Sequence, residues 1–242
     1  MHRRVAAAAG DRSTVGTGRG GRGTGRSAPP VLPRSLRAWL GPIAALAALV
    51  VVVLGIVYAG HGEPGRVDRW IVQPTADSVR PPWRRVALVL DFLGEPAGSA
   101  MLVTAVVAGC LLLRRHRAAV LVVAGPALTV GTTTLLKHVV GRTIHGDDNL
   151  SYPSGHTAFL TSLALVVALP ATGRLGLART AGTSLVLAAA LVAGAAMGWA
   201  QVALGAHYPT DVLAGWCTAL AVIPATAWLI DRTADARQPE RR

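Results

Sequence analysis

Six stretches of this chain contain neither a charged residue nor a histidine: Ala38–Gly60, Pro96–Leu113, Ala118–Leu136, Thr157–Gly173, Thr180–Ala206 and Val212–Ile230. They run to 23, 18, 19, 17, 27 and 19 residues. A bilayer core takes roughly 17–25 residues of helix to cross. Each stretch is therefore long enough, and the fifth has room for a loop. Backbone N–H and C=O groups find no water in lipid, so each apolar block must pair its backbone internally as a helix. The pattern predicts an all-α protein, a six-transmembrane helical bundle. Pro126 falls inside the third block as a predicted kink. Gly194 and Gly198 in the fifth block have the spacing that lets two helices approach closely.

The segment 61–95 between the first two blocks has a different texture. Val86, Leu88, Val89, Leu90, Phe92 and Leu93 are apolar, and Trp70 and Trp83 stand among arginines and prolines. This pattern predicts short interfacial helices with tryptophans at head-group depth.

Basic residues orient the bundle. With the N-terminus cytoplasmic, the inner segments 1–37, 114–117, 174–179 and 231–242 hold 17 Lys and Arg, and the outer segments hold 7. The positive-inside rule then puts both termini in the cytoplasm and the first loop, 61–95, outside. The protein is expected in the cell membrane as a multi-pass chain. Residues 1–35, which include GTGRGGRGTGRSAPP, carry too little apolar surface to offset their ordering entropy. They are expected to form a disordered basic cytoplasmic tail. Residues 36–231 form the six-span domain, and 232–242 a short cytoplasmic tail. The first block exceeds the roughly 7–15 apolar residues of a signal peptide, so it is read as a span that is kept.

Composition agrees with this reading. Hydrophobic residues make up 52% of the chain and charged residues 15%, where a soluble domain carries about 25% charged. The net charge of +12 would suit nucleic acid in a soluble protein. Here no basic stripe is interleaved with aromatics, so the expected partners are the membrane and a lipid, with no nucleic acid. Cys110 and Cys217 each sit in an apolar run, with no CxxC pair, and read as core fillers.

Three polar clusters fall at span ends on the predicted outer face. They are Lys137-His138-Val139-Val140-Gly141-Arg142, Tyr152-Pro153-Ser154-Gly155-His156-Thr157 and Gly205-Ala206-His207-Tyr208-Pro209-Thr210-Asp211. Lys137 and Arg142 offer positive charge to a phosphate dianion. Ser154 and Gly155 stand where the fourth span begins, and free N–H groups and the positive helix end favour an anion there. His156 and His207 supply one nucleophile and one general acid. Asp211 lies four residues after His207, so a helix starting near Pro209 brings the carboxylate to the ring as an orienting group. This phosphate cradle needs no metal and no organic cofactor.

These clusters resemble the motifs of the type-2 phosphatidic acid phosphatase and vanadium haloperoxidase superfamily, K-x6-R-P, P-S-G-H and S-R-x5-H-x3-D. Pro153-Ser154-Gly155-His156 matches the second motif in full. His207-x3-Asp211 matches the end of the third, and Lys137 the start of the first. The resemblance covers roughly residues 38–230. The arginine of the first motif falls on Ile144 and its proline on His145. Arg142, two residues earlier, stands where relatives often carry an additional arginine. The Ser-Arg pair of the third motif falls on Ala200 and Gln201. The resemblance implies a membrane lipid phosphatase in which His207 attacks phosphorus and forms a phosphohistidine. Asp211 orients His207, and His156 protonates the leaving oxygen. Lys137, Arg142, Ser154, Gly155 and Gln201 bind the substrate phosphate. The implied substrate is a lipid phosphomonoester or diphosphate. The alternative is a non-hydrolytic lipid-phosphate binder with a weakened site.

Overall fold

In the computed structural model, residues 29–237 are described. The predicted disordered tail up to residue 28, and residues 238–242 of the second tail, lie outside them. Among the described residues eight α-helices follow one another: α1 (Arg37–Val57), α2 (Arg66–Ser78), α3 (Trp83–Gly94), α4 (Pro96–Leu112), α5 (His116–Val140), α6 (Gly155–Arg174), α7 (Arg179–Ala203) and α8 (Pro209–Ala236), with a short 3-10 turn at Arg34–Leu36 ahead of α1. The described residues hold no strand, only an isolated bridge between Thr143 and Leu150. Helices α1, α5, α6, α7 and α8 are each long and apolar enough to cross a bilayer, and α4 makes a sixth span when taken with α3, from which it bends by 67°. The all-α membrane bundle expected from the charge-free blocks is the architecture found. Pro126 lies within α5 and does not end it.

Helix α6 is the hub, packing against α5, α7 and α8. Its apolar window is 61% buried, against 22% for α1, which lies at the edge with most of its surface turned outward. Leu165, Leu169, Val186, Ala190, Leu220 and Ile223 form the middle of the core. The pair Gly194 and Gly198 does what its spacing predicts. A Cβ on Gly194 would come within 2.2 Å of Cδ1 of Trp216, and one on Gly198 within 2.3 Å of Cγ1 of Val212. Both partners belong to α8, so the bare face of α7 sets the α7–α8 separation.

The interfacial helices α2 and α3 are amphipathic in an inverted sense. Trp70, Trp83 and Val89 are exposed, while Asp68 on α2 is wholly buried. Apolar side chains face outward, as suits helices lying against lipid, and a carboxylate faces the protein.

The chain begins to pack earlier than its composition suggests. Val31, Leu32 and Leu36 are buried, and the N–H groups of Val31 and Leu32 donate to the two carboxylate oxygens of Asp231 at 3.0 and 2.9 Å. Asp231 also faces Arg37 at 3.8 Å and Arg117 at 3.6 Å. Helix α8 continues past residue 231 to Ala236. The start of α1 and the end of α8 therefore share one end of the bundle, and all three polar motifs lie at the other.

Gly194→Ala and Gly131→Ala bring the same helix-propensity gain, but only the first adds a methyl into a closed contact; nothing lies within 4 Å of a Cβ at Gly131. Thermal unfolding in detergent should show Gly131→Ala at or above the wild-type melting temperature. Gly194→Ala should lose about 1–3 kcal/mol through overpacking against Trp216. Equal melting temperatures for the two variants would mean that α7 and α8 are not in contact there.

Candidate functional site

Helix α5 ends at Gly141, whose left-handed conformation (φ 63°) closes the helix. Lys137 lies in its last turn, and its Nζ donates to the carbonyl oxygen of Leu150. The loop 141–154 folds back on itself: Ser151 N–H donates to the Arg142 carbonyl at 2.8 Å, and Ile144 N–H to that of Asn149 at 3.0 Å. Tyr152 is buried and its hydroxyl donates to the Val51 carbonyl of α1. His145 reaches the Gly205 carbonyl at 2.8 Å, which joins this loop to the α7–α8 loop.

Ser154 caps α6. Its hydroxyl oxygen accepts from Thr157 N–H at 3.4 Å and lies 3.1 Å from Thr157 Oγ1. Its own N–H donates to the Asp211 carbonyl at 3.0 Å. Gly215 of α8 packs against Ser154, whose carbonyl oxygen stands 2.3 Å from where a Cβ would sit. The second and third motifs are thus held together backbone to backbone. Gly155 opens α6, and His156 follows in its first turn.

The second histidine comes with Asp211. Helix α8 starts with Pro209 in its first position, and Asp211 in its first turn accepts Tyr208 N–H at 3.1 Å, a cap that places the carboxylate near His207. His207 Nδ1 is 3.9 Å from Asp211 Oδ2. That nitrogen is buried and has no hydrogen-bond partner. The i,i+4 pairing predicted from the sequence brings the two groups together, with the hydrogen bond not yet closed.

Arg142 is enclosed by carboxylates. Its guanidinium is wholly buried, with Nη1 2.6 Å from Asp211 Oδ1 and Nη2 2.6 Å from Asp68 Oδ2. Nη1 also lies 2.6 Å from Thr210 Oγ1. The rings of Tyr58 and Tyr208 flank it, with centroids 4.0 and 4.5 Å from Cζ. Burial pushes the Tyr208 phenol above its ordinary value, so it meets the cation as a neutral ring. Asp68 in turn accepts Thr210 N–H at 3.0 Å and Gly65 N–H at 3.2 Å. A guanidinium so enclosed is already neutralised, and its fork points at carboxylates. It holds one oxygen of Asp211, whose other oxygen faces the His207 ring.

Gln201 is also committed. It is buried, and its Nε2 donates to Asp91 Oδ1 at 2.7 Å. The same oxygen lies 3.6 Å from His156 Nε2. Of the five residues expected to hold phosphate, Arg142, Gln201 and the Ser154 hydroxyl are thus engaged by side chains or the α6 cap, and Lys137 by the Leu150 carbonyl. Lys137 and the α6 N-terminus at Gly155 stay nearest to that role. Asp68 and Asp91 were missed by sequence reasoning. The available signal was weak but real: Asp91 is the one carboxylate in the otherwise apolar run Val86–Leu93, and Asp68 is the acidic residue in the first turn of amphipathic α2.

Removing Arg142 strands two buried carboxylates. Arg142→Ala should therefore destabilise the protein by about 3–5 kcal/mol, and Arg142→Lys should not restore it, because a lysine has no fork. Asp68→Asn, which alters no group expected at phosphate, should lower the melting temperature and slow turnover as well. An Arg142→Ala protein with the wild-type melting temperature and weakened phosphate inhibition would return Arg142 to the cradle.

Residues 118–234 match the family model described as the PAP2 superfamily. No curated protein sequence matches the chain. Among solved structures it is similar to the crystal structure of a transmembrane PAP2-type phosphatidylglycerolphosphate phosphatase from Bacillus subtilis. Identity is 20%, the TM-score is 0.58, and the match covers 82% of this chain and 98% of that one. At that identity the likeness is one of fold. The motifs gathered at one end of the bundle lie within or beside the stretch that matches the PAP2 superfamily, residues 118–234, which spans α5–α8.

Proposed function

We propose that the protein is a metal-independent lipid phosphatase whose site faces the outer side of the membrane. The observation that carries this reading is the gathering of His207–Asp211, His156 and Lys137 at one end of a membrane bundle. His207 Nε2 attacks phosphorus while Nδ1–H is held toward Asp211, which offsets the imidazolium formed. His156 gives a proton to the leaving oxygen, and the lipid departs as its alcohol or as a shorter phosphate. Water then attacks the phosphohistidine, with His156 as base, and inorganic phosphate leaves. Lys137 and the N–H groups at the start of α6 stabilise the charge on the transferring group. A lipid phosphate or diphosphate suits the membrane setting, because its head group lies at the depth of span ends. The name of the Bacillus subtilis neighbour, a phosphatidylglycerolphosphate phosphatase, supports a phospholipid head group.

A second reading, a lipid-phosphate binder without turnover, is favoured by one observation. Arg142 and Gln201 are both tied to carboxylates, which leaves Lys137 nearly alone in the cradle. Phosphate release from lipid substrates by the purified protein separates the two readings. The phosphatase reading expects His207→Ala to abolish release while phosphate inhibition or lipid binding persists. His156→Ala should slow a lipid ester by about 10²–10⁴-fold, and nitrophenyl phosphate much less, because nitrophenolate needs little protonation to leave. Wild-type turnover by His207→Ala would end the nucleophile assignment.

Orientation has its own test. In a background lacking Cys110 and Cys217, a cysteine at Asn149 should react with an impermeant reagent added to intact cells, and one at His116 should not. Both positions are exposed and lie at opposite ends of the bundle. Labelling at His116 alone would invert the topology.

A further inference from the structure

We propose that Asp91 is a positioning residue that orients His156, and that the neutral Gln201 is what leaves Asp91 available to do so. The inference rests on the phosphatase reading for its catalytic consequence, but the contact itself does not.

Helix α3 lays its last turn across His156. A Cβ on Gly94 would stand 2.2 Å from His156 Cδ2, so the ring rests directly on the α3 backbone. Asp91 lies three residues earlier, on the same face of the helix. Its Oδ1 is 3.6 Å from His156 Nε2. That nitrogen is buried and has no hydrogen-bond partner. Nδ1 is then the nitrogen left to meet the leaving oxygen. The pair repeats the arrangement at His207, where a buried, unpartnered ring nitrogen faces Asp211. A 3.6 Å separation is long for a hydrogen bond, and such contacts tighten when the ring is charged or substrate is bound.

Charge decides what Asp91 is for. The other charged groups acting on His156 are Glu95 between α3 and α4, His207 before α8 and Lys137 on α5. Lys137 and a charged His207 oppose protonation, as does burial. Glu95 is exposed and screened by solvent. Asp91 is the near, half-enclosed carboxylate that opposes them. With both histidines neutral, Lys137 and Arg142 stand against Asp68, Asp91 and Asp211, one formal negative charge in excess. A phosphate dianion enters such a site favourably only when a histidine carries a proton. As the P–O bond of the substrate breaks, its electron pair goes to the departing oxygen. The His156 proton follows, and the ring is left neutral until the attacking water returns a proton to it.

Gln201 completes the argument. It occupies the place of the third-motif arginine. An arginine there would meet Asp91 with a charged fork and hold it in a salt bridge. The glutamine amide fixes the same carboxylate through one neutral N–H and leaves its charge to His156. The missing cation is therefore matched by a carboxylate that sequence reading did not connect to it.

The test compares Asp91→Asn, Asp91→Glu and Gln201→Arg with the wild type on dioleoyl phosphatidate in micelles and on nitrophenyl phosphate. A carboxylate partner raises the imidazole pKa, so its loss lowers it, and the acid form disappears at lower pH. Asp91→Asn should cut kcat on phosphatidate about tenfold or more and move the alkaline limb of its pH profile down by about one unit, with little change on nitrophenyl phosphate. Asp91→Glu should restore part of both effects. Gln201→Arg should move the limb in the same direction as Asp91→Asn. A second readout is independent of turnover. Ring-nitrogen NMR of the histidines, assigned with His156→Gln, should show His156 titrating at lower pH in Asp91→Asn. Equal losses on both substrates with an unmoved limb and an unmoved titration would overturn the proposal. So would a Gln201→Arg protein with faster turnover and an unchanged limb. If the wild type releases phosphate from no lipid tested, the phosphatase reading fails, and the NMR titration still decides the Asp91–His156 contact.

Discussion

The site is organised around one guanidinium buried between two carboxylates. Moving any of these three charges out of water costs several kcal/mol, and pairing repays that cost only when the remaining donors and acceptors are also met. Around Arg142 they largely are. Asp68 and Asp211 take its fork, Tyr58 and Tyr208 cover its faces, and the N–H groups of Thr210, Gly65 and Tyr208 supply donors to the carboxylates. The cluster joins α2, the loop after α5 and the first turn of α8. Without it, α2 has an unmatched buried carboxylate and no reason to lie where it does. Asp211 would likewise be free to turn away from His207.

The consequence for chemistry is a division of labour among the charged groups. In the phosphatase reading proposed above, Arg142 sets geometry, and the positive field for a phosphate falls to Lys137, the α6 N-terminus and the histidines themselves. A site built this way depends on the protonation state of its imidazoles more than one lined with arginines. The two interfacial helices then act as parts of the site. Through Asp68, α2 meets the Arg142–Asp211 pair beside His207, and through Asp91, α3 lies against His156.

Helix α8 carries a buried aspartate near each end, Asp211 and Asp231. Twenty residues of helix separate them, which at about 1.5 Å per residue is close to the thickness of a bilayer core. Asp211 takes Arg142 and the nearby N–H of Tyr208, and Asp231 gathers Arg37, Arg117 and the N–H groups of Val31 and Leu32. One end holds the site. The other ties residues 31 and 32 to α8 and so brings the N-terminal segment to the last turns of the bundle.

The charge-free blocks determined the spans, because lipid permits few alternatives to a helix and the lengths match the bilayer. The order of the motifs along those spans also determined that Lys137, His156 and His207 meet at one end. The His207–Asp211 pair was legible because i,i+4 spacing on a helix is a local rule. Gly194 and Gly198 likewise revealed a close helix contact, though not its partner. What the residues contact across the bundle was not legible. Arg142 looked like a phosphate ligand because its spacing from Lys137 is local, while its partners Asp68 and Asp211 lie 74 and 69 residues away. Asp91 meets Gln201 across 110 residues. Val31 and Leu32 looked like part of a polar tail until Asp231, about 200 residues on, received their N–H groups. A buried charge takes whichever partner the packing brings to it, and packing is settled only when all the helices are in place.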